Sequence, residues 1–267
     1  MIATSSPPKL ALDSVTKRFR DSVRGRDTLA LDGISFTIAD GEFVCLLGAS
    51  GCGKSTVLNL VAGFEAPTSG EARLDGQPVR KPGTDRGVVF QQPLLFPWLT
   101  ILDNVAFGPM MNGASRDDAR RRASEYLAFV GLADFAKHYP YELSGGMQQR
   151  VSLARAWVSH PLMLLMDEPF GALDAQTRLQ MQEFLLQIWE ERRTTVLFVT
   201  HDIDEALFLA DRIIVMSARP GRVALDLPLS FGRPRRIDEI MSDPEYIRMK
   251  QRVMHAIRHD GGGDQPH

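Results

Sequence analysis

Residues 43–55 read Phe43-Val44-Cys45-Leu46-Leu47-Gly48-Ala49-Ser50-Gly51-Cys52-Gly53-Lys54-Ser55. The first five are apolar without alternation, the pattern of a strand buried on both faces in a parallel sheet. Residues 48–55 then match G-x-x-x-x-G-K-[ST], a glycine-rich turn whose backbone N–H groups curl round a phosphate at a helix N-terminus. A helix follows: Thr56-Val57-Leu58-Asn59-Leu60-Val61-Ala62, ended by Gly63. The order strand, glycine loop, helix predicts an α/β fold with a phosphate-binding loop, in which Lys54 reaches the β- and γ-phosphates and the Ser55 hydroxyl binds Mg²⁺. A plain glycine-rich βα turn, the competing reading, gives Lys-Ser no purpose at that offset.

On the N-terminal side, Ile34, Phe36 and Ile38 alternate with polar neighbours as in a half-buried strand, and Asp40-Gly41 supplies a turn. Short strands are expected at residues 72–74 and 87–90, with Asp75-Gly76 as a hairpin turn. From about residue 93 to 161 helical periodicity takes over. Ser115, three residues before Asp118, opens a helix whose face is Ala119, Ala123, Tyr126, Leu127 and Val130, closed by Gly131. Strand-like runs return at residues 162–166, 196–200 and 213–216, with a helix at 178–191, giving a βαβ rhythm. Residues 1–8 and 261–267, rich in Ser/Pro or Gly, are expected to fray.

The apolar run 162–166 ends in Asp167-Glu168, and parallel sheets bind ligands at the C-terminal ends of their strands. Asp167 is placed for the Mg²⁺ shell and Glu168 to polarise an attacking water as general base. The alternative is a turn or helix-capping pair, since Pro169 follows. His201 ends the run 196–200 and is a candidate to hydrogen-bond a γ-phosphate, against a purely structural histidine. His138, His160, His255, His259 and His267 are read as surface or capping groups.

Composition bounds these readings. With 44% hydrophobic and 24% charged residues, 22 Gly and 16 Pro, the chain is no disordered, collagen-like or coiled-coil protein. Its 31 Lys+Arg against 33 Asp+Glu give a net charge of −2, which provides no basic field for nucleic acid. Two cysteines, Cys45 and Cys52, are too few to staple a secreted scaffold and suit a reducing compartment. Cys52, near a helix N-terminus, is expected to favour the thiolate and to be alkylated unless the loop's phosphate ligand protects it, while Cys45 in the buried strand reacts slowly. No apolar run approaches the ~20 residues needed to cross a bilayer and no leader is evident, so a cytoplasmic protein is expected, reaching any membrane through a partner.

Leu143-Ser144-Gly145-Gly146-Met147-Gln148-Gln149-Arg150 reads as a second anion site, with Ser144 and two glycines at the start of a helix whose apolar face is Met147, Val151, Ala154 and Val158. An ordinary Ser N-cap is the plainer reading. The string resembles the signature motif of ATP-binding cassette (ABC) ATPases, and the resemblance covers roughly residues 9–220 with the motifs in the family's order. It implies a P-loop NTPase core with an antiparallel β subdomain and an inserted α-helical subdomain. The divisions expected are 9–91 and 161–220 for the core, 92–160 for the helical subdomain, and 221–267 for a C-terminal helical tail.

By the same resemblance, ATP and Mg²⁺ are the cofactors. Gly48, Ala49, Ser50, Gly51, Cys52, Gly53, Lys54, Ser55 and Thr56 cradle the nucleotide, and Phe19 stacks on adenine. Gln91 looks like the Q-loop glutamine that, with Ser55 and Asp167, attends the metal; Asp174 like the D-loop aspartate; His201 like the switch histidine. Two positions depart from the commonest pattern: Gly171 stands where serine is frequent, and a polar stretch, 20–28, separates Phe19 from the next strand, leaving Phe19 open to a reading as core packing. The family's dimers place each ATP between the phosphate loop of one chain and Ser144-Gly145-Gly146 of the other.

Without a membrane-spanning run, a second cassette or a long heptad array, a separate importer subunit is favoured over a fused exporter or a chromosome or translation factor. Phe90-Gln91-Gln92-Pro93-Leu94-Leu95-Phe96-Pro97-Trp98 and Arg219-Pro220-Gly221-Arg222 resemble the nitrate/sulfonate/taurine group, and the tail around Leu227-Pro228-Leu229-Ser230-Phe231 is most similar to its taurine-type members. The implied partners are a second copy, an integral-membrane permease dimer and, indirectly, a periplasmic or extracellular solute-binding protein. The implied place is the cytoplasmic face of the inner membrane. The surface after Gln91 would receive the permease, with Trp98 alternatively part of the helical core. Nitrate, alkanesulfonates, a soluble non-transport ABC module and a P-loop small-molecule kinase are the rival functions.

Overall fold

The computed structural model describes residues 7–21 and 26–259. In chain order the elements are β1 (Leu10–Asp21), β2 (Arg26–Ile38), β3 (Phe43–Leu47), α1 (Lys54–Ala62), β4 (Ser69–Leu74), β5 (Gln77–Pro78), β6 (Arg86–Val89), α2 (Ile101–Met111), α3 (Arg116–Phe129), α4 (Gly145–Trp157), β7 (Met163–Asp167), α5 (Ala175–Arg192), β8 (Thr195–Thr200), α6 (Ile203–Leu209), β9 (Arg212–Met216), β10 (Val223–Pro228), α7 (Ile237–Met241) and α8 (Pro244–His259). They divide into two compact units, one up to Gly83 and again from Trp189, the other Thr84–Ile188. Among the described residues no helix is long and apolar enough to cross a membrane.

The first unit holds an antiparallel sheet in the order β2-β1-β4-β5. Its other strands include β3, paired in parallel with β8 and with β9, and β10, antiparallel to β9. All five residues of β3 are buried, as their unbroken apolar run requires. Phe43 packs edge-on against Trp189 at 5.5 Å between ring centroids and beside Phe198 at 5.9 Å. Gly63, at φ +79, ends α1 in the left-handed conformation, with its N–H bonded back to Leu60 and Asn59 carbonyls. Asp75 and Gly76, both at positive φ, make the β4–β5 turn.

Two expectations change here. Of the polar stretch 20–28, the described residues are strand: β1 runs on to Asp21 and β2 begins at Arg26, with Phe19 paired to Thr28. The ladder's backbone hydrogen bonds carry the two strands past the apolar pattern. The tail expected to be helical from 221 opens instead as a strand, because Val223, Leu225 and Leu227 alternate with Ala224 and Asp226 and satisfy the edge of β9. Helix follows only at α7 and α8. The fraying expected of 1–8 and 261–267 falls, but for residues 7 and 8, outside the described residues.

In the second unit β6 pairs in parallel with β7. Ser115 caps α3 by accepting a hydrogen bond from the Asp118 N–H, and Ala119, Ala123, Tyr126, Leu127 and Val130 are buried on one face as the spacing predicts. Thr100 caps α2 through Asp103 N–H. Fully buried Asn104 ties the preceding loop to that helix. Its Oδ1 accepts from Phe96 N–H at 2.8 Å, and its Nδ2 donates to the carbonyls of Phe96, Leu99 and Thr100 at 3.0–3.1 Å.

Candidate functional site

The phosphate loop joins β3 to α1 in the first unit. Gly51 and Gly53 take φ +78 and +104, a region closed to most side chains, and so turn the backbone round the loop. Gly48 is needed for space: a Cβ there would lie 2.7 Å from Cys52 Sγ and 2.9 Å from the Met216 carbonyl. No side chain caps α1 and no acidic residue sits in its first turn, so its leading N–H groups and dipole face outward for an anion. Lys54 is buried, and its ammonium donates to the carbonyls of Gly48 at 2.8 Å and Ala49 at 3.1 Å, which holds the cation inside the loop's curve. Ala49, Ser50 and Ser55 are exposed, and Thr56 is half-buried.

The parallel register sets Leu47 opposite Thr200, so His201 emerges beside the start of the loop, exposed. The turn that presents it is stiff. Thr200 Oγ1 donates to the buried Glu205 carboxylate and accepts from Asp202 N–H, while Asp202 caps α6 through the N–H groups of Asp204 and Glu205. Phe19 is 39% exposed on β1 with the Lys17 ammonium 4.9 Å from its ring centroid. That exposure removes the core-packing reading and leaves a ring face free of the hydrophobic interior.

Cys52 corrects the thiolate expectation. It is 1% exposed, and burial pushes its thiol up from the ordinary range, outweighing the Lys54 charge that pulls it down. Proximity to a helix N-terminus told nothing about desolvation. Cys45, fully buried, is pushed up further for the same reason.

In the second unit β7 ends in half-buried Asp167 and Glu168. Glu168 takes φ +45, a strained backbone for a non-glycine residue of the kind that concentrates at functional sites. The turn after it is closed by Gly171 N–H to the Glu168 carbonyl at 3.0 Å, and a Cβ on Gly171 would lie 2.8 Å from Gln91 Nε2. The structure therefore sets the amide of exposed Gln91 against this turn. Asp174 accepts from Thr177 N–H at 3.0 Å, and the Thr177 hydroxyl and N–H hold its carboxyl below the usual range.

The plainer reading holds as far as it goes: Ser144 caps α4, accepting from Met147 N–H at 3.4 Å, while Ser144 and Gly145 stay exposed at the helix start. Gly146 is buried against Thr177: a Cβ would meet its Cγ2 at 2.9 Å. Met147 is only half-buried; the covered face is Gln149, Val151, Ser152, Leu153, Ala154, Trp157 and Val158. Successive turns of α4 carry a row the sequence did not reveal. Gln149, Ser152 and Arg155 donate to the carbonyls of Phe90 (3.4 Å), Pro93 (3.3 and 3.0 Å) and Leu94 (2.9 Å), fixing the backbone on either side of Gln91. Their i, i+3, i+6 spacing was the available signal.

Beyond Gln91, Leu94 and Trp98 are exposed, Trp98 by 71%, which overturns its reading as helical core. The Phe96 ring contacts those of Trp98 and Phe107 in tilted pairs, 5.6 and 4.8 Å between centroids, and Phe107 with Met111, Arg155 and Thr84 helps line a cavity of about 250 Å³. Of the other histidines, His160 lies 3.3 Å from the Tyr126 hydroxyl, and His138 Nδ1 is buried.

The model of the ABC transporter family matches residues 31–171. A taurine import ATP-binding protein of Rhizobium johnstonii is 50% identical over 239 residues, covering 88% of this chain and 91% of that protein. A nitrate import ATP-binding protein of Synechocystis is 48% identical, covering 86% and 88%. A putative ATP-binding protein of Brucella abortus is 49% identical, covering 94% of each. Among solved structures, the dimeric post-hydrolysis state of the ATP-binding cassette MJ0796 bound to ADP and Pi matches at TM-score 0.71 and 36% identity, over 84% of this chain and 100% of that one. The cbiO1 subunit of Clostridium perfringens matches at TM-score 0.75 and 28% identity, over 95% and 98%. With the phosphate loop, the paired carboxylates and the signature helix in place, the chain belongs to the ABC transporter family as one of its ATP-hydrolysing ATP-binding subunits, in the nitrate/sulfonate/taurine group.

Proposed function

We propose that this protein is the ATPase of an importer for a small anion or sulfonate, with taurine the first candidate solute. The observation that carries the reading is the near full-length identity to proteins named for taurine and nitrate import. A homodimer would work against an integral-membrane permease dimer served by a solute-binding protein, at the cytoplasmic face of the membrane. Closure on two ATP molecules and reopening after hydrolysis would supply the motion. The functional division we propose is 9–91 with 161–220 for the core, 92–160 for the helical subdomain and 221–267 for the tail.

In this reading Gly48 to Thr56 cradle the phosphates and Phe19 carries adenine. Lys54 and His201 offset the charge that grows on the γ-phosphoryl group. Glu168 takes the proton of the attacking water as its oxygen bonds to phosphorus and the bond to the β-phosphate oxygen breaks. Ser144, Gly145 and Gly146 act on the nucleotide of the partner copy, and Asp174 is the D-loop aspartate of the nucleotide site. Ser55, Asp167 and Gln91 offer hydroxyl, carboxylate and amide oxygens, the donor chemistry that suits Mg²⁺. Bound there, the ion would neutralise phosphate charge. Leu94, Phe96 and Trp98 form the apolar surface for the permease, and the Gln149–Ser152–Arg155 row supports it.

The test is ATP hydrolysis in liposomes with a candidate permease and binding protein, adding taurine, alkanesulfonates and nitrate in turn. Stimulation by taurine supports the full reading, and stimulation by another anion corrects the solute. Solute-independent turnover without permease association refutes import.

A further inference from the structure

The turn Ser217–Arg222 clasps the outer side of the phosphate loop. Arg219 Nε donates to the Gly51 carbonyl at 2.7 Å, and its guanidinium lies 3.0 Å from where a Cβ on Gly51 would stand. Gly221 sits so close beneath that a Cβ there would fall 2.2 Å from the Cys52 carbonyl. The turn is itself anchored to β2: Gly221 N–H donates to the Ala30 carbonyl at 2.9 Å, Asp32 N–H to the Gly221 carbonyl at 3.0 Å, and Arg222 Nε pairs with Asp32 at 3.0 Å. Ser217 Oγ closes it, accepting from Arg222 N–H and donating to the Pro220 carbonyl.

We propose that Arg219 is a positioning residue for ATP: by drawing the Gly51 carbonyl outward it keeps the N–H groups that follow turned toward the phosphates. The inference rests on the phosphate loop binding ATP. A carbonyl and the next N–H belong to one rigid peptide plane and point in opposite directions, so Arg219 on the Gly51 carbonyl and the Ala49 carbonyl, which accepts from the Cys52 N–H at 3.2 Å, hold that plane from both sides. Glycine at 51 and at 53 lets the backbone turn on either side of that plane, so holding it sets the direction of the Gly53 and Lys54 N–H groups beyond Cys52. Arg222 and Asp32 hold the turn to β2, so Arg219 acts from a fixed base.

The test uses the whole chain and compares wild type, R219A, R219K and K54A in MgATP hydrolysis, binding of a fluorescent ATP analogue, and thermal unfolding without nucleotide. R219A is expected to raise the KM for ATP about fivefold, with kcat within about twofold and the nucleotide-free unfolding midpoint unmoved. R219K, whose ammonium also donates to a carbonyl, is expected to restore most of the affinity. An unchanged KM in R219A, a fall in kcat at constant KM, or R219K as weak as R219A overturns the proposal. Failure of wild type to bind the analogue more tightly than K54A would instead remove the ATP reading beneath it.

Discussion

Gly171→Ala separates stability from function. The added Cβ would stand 2.8 Å from Gln91 Nε2 and 3.4 Å from the Glu168 carbonyl. Ordinary contact is about 3.5 Å, so the overlap with Gln91 is about 0.7 Å and with the carbonyl about 0.1 Å. Both Gly171 and Gln91 are exposed and Gly171 is not at positive φ, so the amide swings away at little cost to the fold. Alanine also narrows the unfolded ensemble by about 0.4–1 kcal/mol. Stability should therefore stay within about 1 kcal/mol of wild type. Activity should not: a reacting constellation displaced by about 1 Å loses about 10²-fold, and the smaller shift here should cost about tenfold in turnover. Phosphate release at saturating MgATP, alongside urea denaturation, measures both. Gln91→Ala should show a similar loss, and the double variant should be no worse than Q91A, since the two share one route. Wild-type turnover in G171A, or losses that multiply in the double variant, would refute the assignment of Gln91 to the reaction.

Glu168→Gln should keep nucleotide binding and lose about 10²–10⁴ in turnover, read by analogue binding against phosphate release. Iodoacetamide near neutral pH should label Cys52 and Cys45 far more slowly than free cysteine, with or without ATP. Both folded thiols are raised above the ordinary 9.0, so above that pH the unfolded chain holds fewer protons than the folded one. Stability should be whole below about pH 9 and fall by about 1.4 kcal/mol per pH unit per thiol beyond it, a slope that urea denaturation should find flattened in the C45A/C52A double variant. Asn104→Ala removes the acceptor of the Phe96 N–H and the side-chain donor to the Leu99 carbonyl, while the Phe96 and Thr100 carbonyls keep backbone donors, and should destabilise the second unit by about 1–3 kcal/mol, with Asn104→Asp worse because a carboxylate would face those carbonyls.

The sequence shows β3, the phosphate loop and α1 plainly because one short stretch changes from an unbroken apolar run to glycines to a helix, and each change has a local cause. Helix α3 was equally plain from Ser115 and its apolar face. What escaped were features fixed by tertiary partners. Strand β1 continues through polar residues because β2 pairs with it, and β10 is a strand because β9 offers an edge. The protonation of Cys52 depends on burial, which a motif does not encode. Arg155 and Arg219 act on backbone carbonyls, targets without a sequence signal of their own.

The stretch after β10 has a consequence for any study of regulation by the C-terminus. Arg235, 9% exposed, donates to the last carbonyls of α6 at Phe208 (2.9 Å) and Ala210 (2.6 Å), and burial with the Arg233 charge beside it pushes its pKa down to about 10. Arg233 lies over Trp189 and bonds Asp211, and Tyr246 and Lys250 of α8 both donate to Asp204 of α6, the helix that starts two residues after His201. Val253 and Tyr246 are buried with them. Deleting the tail would thus remove the C-terminal cap of α6 and uncover apolar surface, so a truncated protein would lose activity through misfolding whether or not the tail ever carried a signal. Substitutions at Arg252 or His255, on the side of α8 turned toward the β10 groove, leave those anchors intact and can tell the two apart.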